Sequence, residues 1–331
     1  MKRFIALALC IGIGLFSVAE LDATVWYVHP DSTLNSIQTA LNLCLIGDTV
    51  LVAPGTYYEN LSWPNTQGIN LISESGPDTT IIDGGGTGRV ITISTGVVAT
   101  TLINGFTIRN GNAYDGGGIH FYGCSPTITN NTISGNSSNH GGGICCHESS
   151  PTITGNTIVN NSSGDYGGGI YCSYSNTSPT ITGNTISSNN SWVGGGIRSN
   201  WGSNPTIINN TITDNSADRG GGISIGCSAS ATITGNTISG NSAPYRGGGI
   251  CCWESSPPIT GNMISGNSSG NGGGICCARS ASPLISHNTI TENTDGICCG
   301  NGSFPLIDSN DIYYNIGYGL YNGDGSQLID A

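Results

Sequence analysis

Gly141–Ile158 reads GGGICCHESSPTITGNTI, and about a hundred residues later Gly247–Ile264 reads GGGICCWESSPPITGNMI. Two near-copies so far apart point to a repeating unit. Gly-Gly-Gly-Ile ends at Ile119, Ile144, Ile170, Ile197, Ile223, Ile250 and Ile275, and survives as Asp-Gly-Ile at Ile297. The successive steps are 25, 26, 27, 26, 27, 25 and 22 residues. A second motif, Pro-Thr-Ile or a variant, centres on Ile128, Ile153, Ile181, Ile207, Ile233, Ile259, Ile285 and Ile307. A third, Asn-Thr-Ile or a variant, centres on Ile133, Ile158, Ile186, Ile212, Ile238, Ile264, Ile290 and Ile312.

Each period therefore holds three short segments with a central Ile between small polar neighbours, which is strand alternation and too short for a helix. One such coil cannot bury its isoleucines, but stacked coils build continuous columns. The fold class is all-β, a parallel β-helix with three short strands per coil. Two asparagines keep register with the third strand. The first set runs from Asn131 to Asn310 and the second from Asn136 to Asn315, both complete in eight coils. Asn tolerates the left-handed backbone of tight bends, and stacked amides can form ladders from coil to coil. The glycine triads fit a bend where backbone crosses closely over backbone. Calcium-binding β-rolls need a periodic Asp after their glycines, which is missing.

Upstream the pattern changes. Ile37, Ala40, Leu41, Cys44 and Leu45 fall at helical spacing, with Asn35 or Ser36 to cap the start and Gly47 to end it. Such a helix covers the open end of a solenoid. Less regular strands are expected around 49–52, 69–73, 80–83, 90–94 and 101–108. Residues 1–19 read as a secretory signal peptide: Lys2 and Arg3, an apolar run to Val18, then small residues, with cleavage after Ala19 or Ala23. The expected divisions are the signal peptide 1–19, cap and irregular first coils 24–104, and regular coils 105–331. The last coil holds two strands and no cap, so the chain reads as truncated at its C-terminus.

Of 331 residues only 8% are charged and 53 are glycine, a composition of turn-rich repetitive β proteins. Without Lys2 and Arg3 the formal charge moves from −12 to −14 and no lysine remains. The six remaining arginines look scattered, so no basic stripe for nucleic acid is expected. Nor is a membrane span expected in the mature chain. The product is expected to be exported to the cell surface or beyond, as a monomer.

SIQTAL (36–41), GDTVLVAPGTYYEN (47–60) and TIIDGGG (80–86) resemble the cap and first coils of pectin-lyase-like proteins. GFTIRNG (105–111) followed by the triad coils resembles bacterial right-handed parallel β-helix repeat proteins. The resemblance covers nearly the whole mature chain and supplies the right hand of the helix. It implies a fold that carries many functions, lyases, glycoside hydrolases and pectin esterases among them. Asn293-Thr294-Asp295-Gly296 is similar to a polygalacturonase motif, but the Asp-Asp, Gly-His-Gly and Arg-Ile-Lys partners are absent. Inverting hydrolysis needs two carboxyl groups roughly 6.5–9.5 Å apart, and Asp295 has no evident partner. A lyase base opposite calcium-holding carboxylates and the esterase signatures are missing too. No catalytic residue is therefore assigned.

Counting each triad Ile as inward, positions +1 and +3 are expected to face solvent and +2 the core. That exposed flank, with its following turn, is aromatic and variable where the other strands are monotonous Thr and Ser. Its candidate ligand-binding residues are His120, Tyr122, His147, Glu148, Tyr171, Tyr174, Arg198, Trp201, Trp253 and Glu254. Asp115, His140, Tyr166, Trp192, Arg219, Tyr245 and Arg246 enter from the preceding loops. Aromatic rings with interspersed polar groups suit sugar faces. The expected partner is an extracellular polysaccharide, bound without catalysis. The alternatives are a polysaccharide lyase or glycoside hydrolase, and a structural or ice-binding spacer using the Thr-x-Thr pairs of the second strand.

The vicinal pairs Cys145/Cys146, Cys251/Cys252, Cys276/Cys277 and Cys298/Cys299 all occupy +1 and +2, so each pair is split across the strand. Inward members act as small apolar filler. The outward Cys251, Cys276 and Cys298 align on consecutive coils, where cross-coil disulfides are sterically possible. They offer thiols at strand spacing rather than a tetrahedral set with His, so neither a metal nor a cofactor is expected.

Overall fold

The computed structural model describes residues 22–94 and 96–323 and the backbone of 329–330. The expected signal peptide lies outside the described residues. The chain winds into a β-solenoid in which every strand pairing is parallel, with sheets of 13, 11, 11 and 7 strands. The Pro-Thr-Ile, triad and Asn-Thr-Ile segments build the three larger sheets, and the Ile columns stack in register, as in Ile128↔Ile153↔Ile181 and Ile144↔Ile170↔Ile197. These isoleucines have no exposure from Ile119 to Ile297, and each contributes about 1.5–3 kcal/mol of burial.

Both asparagine ladders run through the coils. Each side-chain Nδ2 donates to the Oδ1 of the next coil, as Asn131 to Asn156 at 3.1 Å and Asn136 to Asn161 at 3.0 Å. The same Oδ1 accepts the preceding asparagine's backbone N–H. The left-handed residue is not the ladder asparagine but the one before it: Asn130 (φ 54°), Gly155 (φ 63°) and Asn209 (φ 54°). That residue turns the corner, and the asparagine behind it satisfies the backbone groups the corner strips from the sheets.

The fourth sheet has no counterpart in the three-strand reading. After the second ladder asparagine, Asn112–Asp115, Ser137–His140, Ser162–Tyr166, Asn190–Val193 and Ser216–Arg219 pair across coils. Their Ser, Asn and Asp content carries no apolar alternation, so hydropathy does not reveal them. The chain then doubles back at the triad. A Cβ on Gly195 would stand 2.5 Å from the carbonyl oxygens of Ser216 and Gly221, and one on Gly141 would stand 2.8 Å from the Cβ of Cys145. Only glycine permits that crossing.

The N-terminal helix is Ile37–Leu43, capped by the Ser36 side chain. The Glu59 carboxylate also accepts the N–H groups of Ile37 (2.8 Å) and Gln38 (2.9 Å). Ile37, Ala40, Leu41 and Cys44 are buried over the first strands, but Leu45 lies past the helix end and is exposed. Strands at Thr49–Val52, Asn70–Ser73, Thr80–Asp83 and Ile91–Ile93 match the expected segments, while 101–108 splits into Leu102–Asn104 and Thr107–Arg109. Among the described residues no helix is long and apolar enough to cross a membrane. The outward threonines of the Pro-Thr-Ile sheet do stack, Thr127↔Thr152↔Thr180↔Thr206↔Thr232, and the array is interrupted at Ile208 and Leu284.

Candidate functional site

The doubling-back at the triads corrects the expected exposure of the first-strand face. The +1 side chains are shut beneath the corner with the fourth sheet: His120 is 8% exposed, Cys145 0%, Tyr171 1%, Arg198 5% and Cys251 1%. Alternation does hold in one respect. Cys146, Cys172, Cys252, Cys277 and Cys299 belong to the core cluster between the sheets, while Cys145, Cys251, Cys276 and Cys298 lie on the other side of their strands. A face that alternation assigns to solvent is an interior seam between two sheets.

The accessible surface is the rim of that seam, where the triad strand ends in a turn. Tyr122, Glu148, Tyr174, Trp201 and Glu254 are exposed there, and His147 and Trp253 are half-buried. Glu148 (φ 49°), Tyr174 (φ 77°), Trp201 (φ 50°), Cys227 (φ 50°), Glu254 (φ 54°) and Arg279 (φ 53°) all hold the left-handed backbone at the corresponding turn of six successive coils. Bulky side chains there cost roughly 1–2 kcal/mol each relative to glycine. Glycine serves that very turn at Gly123 (φ 62°). Retaining ring and charge at strained positions favours a role for the side chains over one for the turn.

The rim residues meet in two groups. In the first, His147, Tyr174 and Trp201 form a ribbon over three coils, with ring centroids 5.5 Å apart at each step. Inside the seam behind them, the His140 Nδ1 and the Asp115 carboxylate lie 2.8 Å apart. The His140 ring stacks on Tyr166 at 5.4 Å and leans on Tyr171 at 5.5 Å. Burial pushes the Asp115 carboxyl upward, but the His140 hydrogen bond and the neighbouring histidine charges outweigh it, so the group is held below its usual value. Burial pushes the Tyr171 phenol up, and its hydroxyl sits beside Asn200 and Ser173 without a well-formed hydrogen bond. Arg198 donates to Ser224 Oγ (2.7 Å) and Asn200 Oδ1 (3.0 Å), and its Nε has no partner. Arg198 and Tyr171 therefore wall the seam from inside and are not on the open rim.

The second group surrounds Trp253. The guanidinium carbons of Arg219, Arg246 and Arg279 stand 4.8, 5.3 and 4.6 Å from the centre of its ring. Arg279 also reaches Glu254 at 3.2 Å, whereas Arg219 and Arg246 have no carboxylate ion-pair partner among the described residues. With Arg198 these are four of the six arginines that looked scattered in sequence. Arg279 escaped the sequence reading; its spacing from Ile275 equals that of Glu254 from Ile250, which is the signal that places it. A shallow depression of about 660 Å³ lies beside Glu254 and Arg279, lined further by Ser228, Ser230, Ser256 and Asn301.

Two other arrangements bear on chemistry. His120, Cys145 and His147 bring one ligand atom each to within 4.8 Å of one another. In the polygalacturonase-like tetrad, Asn293 is fully buried in its ladder and the Asp295 carboxylate accepts the Tyr318 N–H at 2.9 Å. Both are therefore engaged in the scaffold.

The four parallel sheets, the ladders and the strained aromatic and basic rim define a parallel β-solenoid with one chemically distinct edge. The chain belongs to the right-handed β-helix family, whose model, described as right handed beta helix region, matches residues 60–268. A search of curated proteins gives no match. Among solved structures, the Dettilon tailspike protein is similar at 14% identity, with 90% of this chain and 68% of that chain covered and a TM-score of 0.46. The A-module of the Azotobacter vinelandii mannuronan C-5 epimerase AlgE4 is similar at 12% identity, covering 89% of this chain and 94% of its own, with a TM-score of 0.43. The AlgE6 A-module gives 14% identity, the same coverages and a TM-score of 0.39.

Proposed function

We propose that this protein is exported and binds an acidic extracellular polysaccharide along the rim of the triad sheet, holding it without cleaving it. The observation that carries the reading is Trp253 ringed by three arginines, two of them without a carboxylate partner. An aromatic face takes the apolar side of a pyranose ring, and guanidinium forks take carboxylate or sulfate in bidentate fashion. On a chain of formal charge −12, crowding three cations around one ring favours an anionic ligand over a neutral one. The His147–Tyr174–Trp201 ribbon continues the edge along the solenoid axis and supplies further stacking surface.

One observation favours the enzymatic alternative: the Asp115–His140 pair, packed against Tyr166 and Tyr171, is arranged as an oriented imidazole beside phenols. Binding screens over acidic and neutral polysaccharides, with assays for new reducing ends and unsaturated products, separate the two. The proposal expects retention of acidic polymers that weakens with salt, and no product. Product formation would replace it with the enzymatic reading, and absence of binding would reject both.

A further inference from the structure

His120 and Cys145 are register partners on neighbouring triad strands, and His147 lies two residues beyond Cys145 on the same strand. Positions two apart share a strand face, and paired strands lie about 4.8 Å apart. The three side chains therefore converge on one side of the sheet, with ligand atoms within 4.8 Å of one another. His120 is 92% buried by the complement of its 8% exposure, and its Nε2 has no hydrogen-bond partner. Leaving such a group unsatisfied is unfavourable, and nothing in the solenoid's packing requires a histidine at this position; the next coils use Cys, Tyr, Arg and Ser.

Two imidazole nitrogens and a thiolate are donors suited to a borderline-soft ion of tetrahedral habit. We propose that His120, Cys145 and His147 form a Zn2+ site at the seam between the first two triad coils, with the fourth coordination position left to water. Bonds of about 2.0–2.3 Å place tetrahedral ligands about 3.5 Å apart, so the side chains close by roughly 1 Å on binding. The Cys145 S–H bond breaks, a Zn–S bond forms and the proton leaves to solvent. Asp115 adds a negative charge beside the histidines, while Arg89, whose Nε donates to the Asp115 carbonyl at 2.7 Å, opposes it. His140 and Tyr171 close the remaining side. The site shares His147 with the aromatic ribbon of the polysaccharide reading, while Trp253 and its arginines, which carry that reading, are held by later coils.

The test is a cobalt titration of the reduced, EDTA-stripped mature chain, with Co2+ as the spectroscopic substitute for Zn2+. One equivalent is expected to give the visible bands of a tetrahedral ion and a near-ultraviolet thiolate charge-transfer band, both displaced by Zn2+. Cys145→Ser is expected to abolish the charge-transfer band, and the triple change of Cys251, Cys276 and Cys298 to Ser to leave it intact. Because Cys145 is fully buried, His147→Ala provides a variant at a half-buried position. Loss of an outer-shell partner alone costs about 10–100-fold in affinity, so loss of this ligand is expected to weaken binding by at least that. The proposal is overturned if no tetrahedral spectrum appears at one equivalent. It is equally overturned if the spectrum survives Cys145→Ser, if the triple variant alone removes it, or if His147→Ala binds as tightly as the parent.

Discussion

Asn210 sits mid-solenoid, 1% exposed, and replacing it measures what the ladder is worth. Its Oδ1 accepts the backbone N–H and the Nδ2 of Asn184, both at 3.0 Å. Its Nδ2 faces the carbonyls of Ile181 (2.9 Å) and Ile208 (3.0 Å) and the Oδ1 of Asn236 (3.0 Å). Asn210→Ala leaves the Asn184 N–H without its acceptor and the Ile181 carbonyl without this donor. Asn184 Nδ2 keeps Ile153 and Thr182, and Asn236 Oδ1 keeps the Asn210 N–H. Two orphaned buried groups at about 1–3 kcal/mol each give a loss of about 4 kcal/mol. Asn210→Asp has nearly the same shape but turns an oxygen toward three acceptors, so it is expected to cost at least as much. Asn204→Ala, at an exposed position, is expected to stay within about 0.5 kcal/mol. Stacked coils need not unfold in one step, so native-state hydrogen exchange is the right assay. The Asn184 amide should exchange roughly a thousandfold faster in either ladder variant. If Asn210→Asp exchanges and unfolds like the parent, the ladder is filler and the reasoning fails.

Gly195→Ala drives a Cβ into two carbonyl oxygens at 2.5 Å, whereas Gly183 (φ 63°) has nothing within 4 Å of its Cβ position. Native-state hydrogen exchange of the flanking coils is therefore expected to show a loss above about 4 kcal/mol for the first and about 1 kcal/mol for the second; equal losses would contradict the close-crossing account. Asp83 is a second case. Burial raises its carboxyl, but hydrogen bonds from Gly85 (3.0 Å), Arg109 (2.8 Å) and Asn110 (2.8 Å) win and lower it below 3.8. A depressed folded value means stability present above the unfolded value and lost as pH falls through the folded one. Asp83→Asn is expected to cost about 2 kcal/mol at neutral pH, with the gap to the parent closing at pH values below 3.8. A gap independent of pH would refute it.

The repeat spacing makes the solenoid, its Ile columns and its ladders legible, because a two-residue strand period and a 25–27-residue coil period leave few other stackings. The fourth sheet is illegible for a physical reason. Ser137–His140 and its equivalents bury small or polar residues such as Ser163, Ser191 and Ala217 rather than an apolar stripe, so their pairing leaves no hydropathy signal. That one gap misplaces the +1 residues. Tyr171 and Arg198 look like rim residues under simple alternation, and only the fold-back at glycines such as Gly141 closes the seam over them. The turn residues Tyr174, Trp201 and Glu254 do stand exposed as expected, since they lie beyond the covered strand. The convergence of Arg219, Arg246 and Arg279 on Trp253 depends on coil register, with Arg219 bridged to Arg246, and no linear motif announces it.

The most direct test of the proposed function is the affinity of Trp253→Ala for an acidic polysaccharide retained by the parent, measured by titration calorimetry beside Thr152→Ala on the Pro-Thr-Ile sheet. Loss of the stacking face and its cation–π partners is expected to weaken binding about tenfold or more, while Thr152→Ala binds like the parent. Unchanged affinity in Trp253→Ala, or an equal loss in both variants, would contradict the placement of the ligand on this rim.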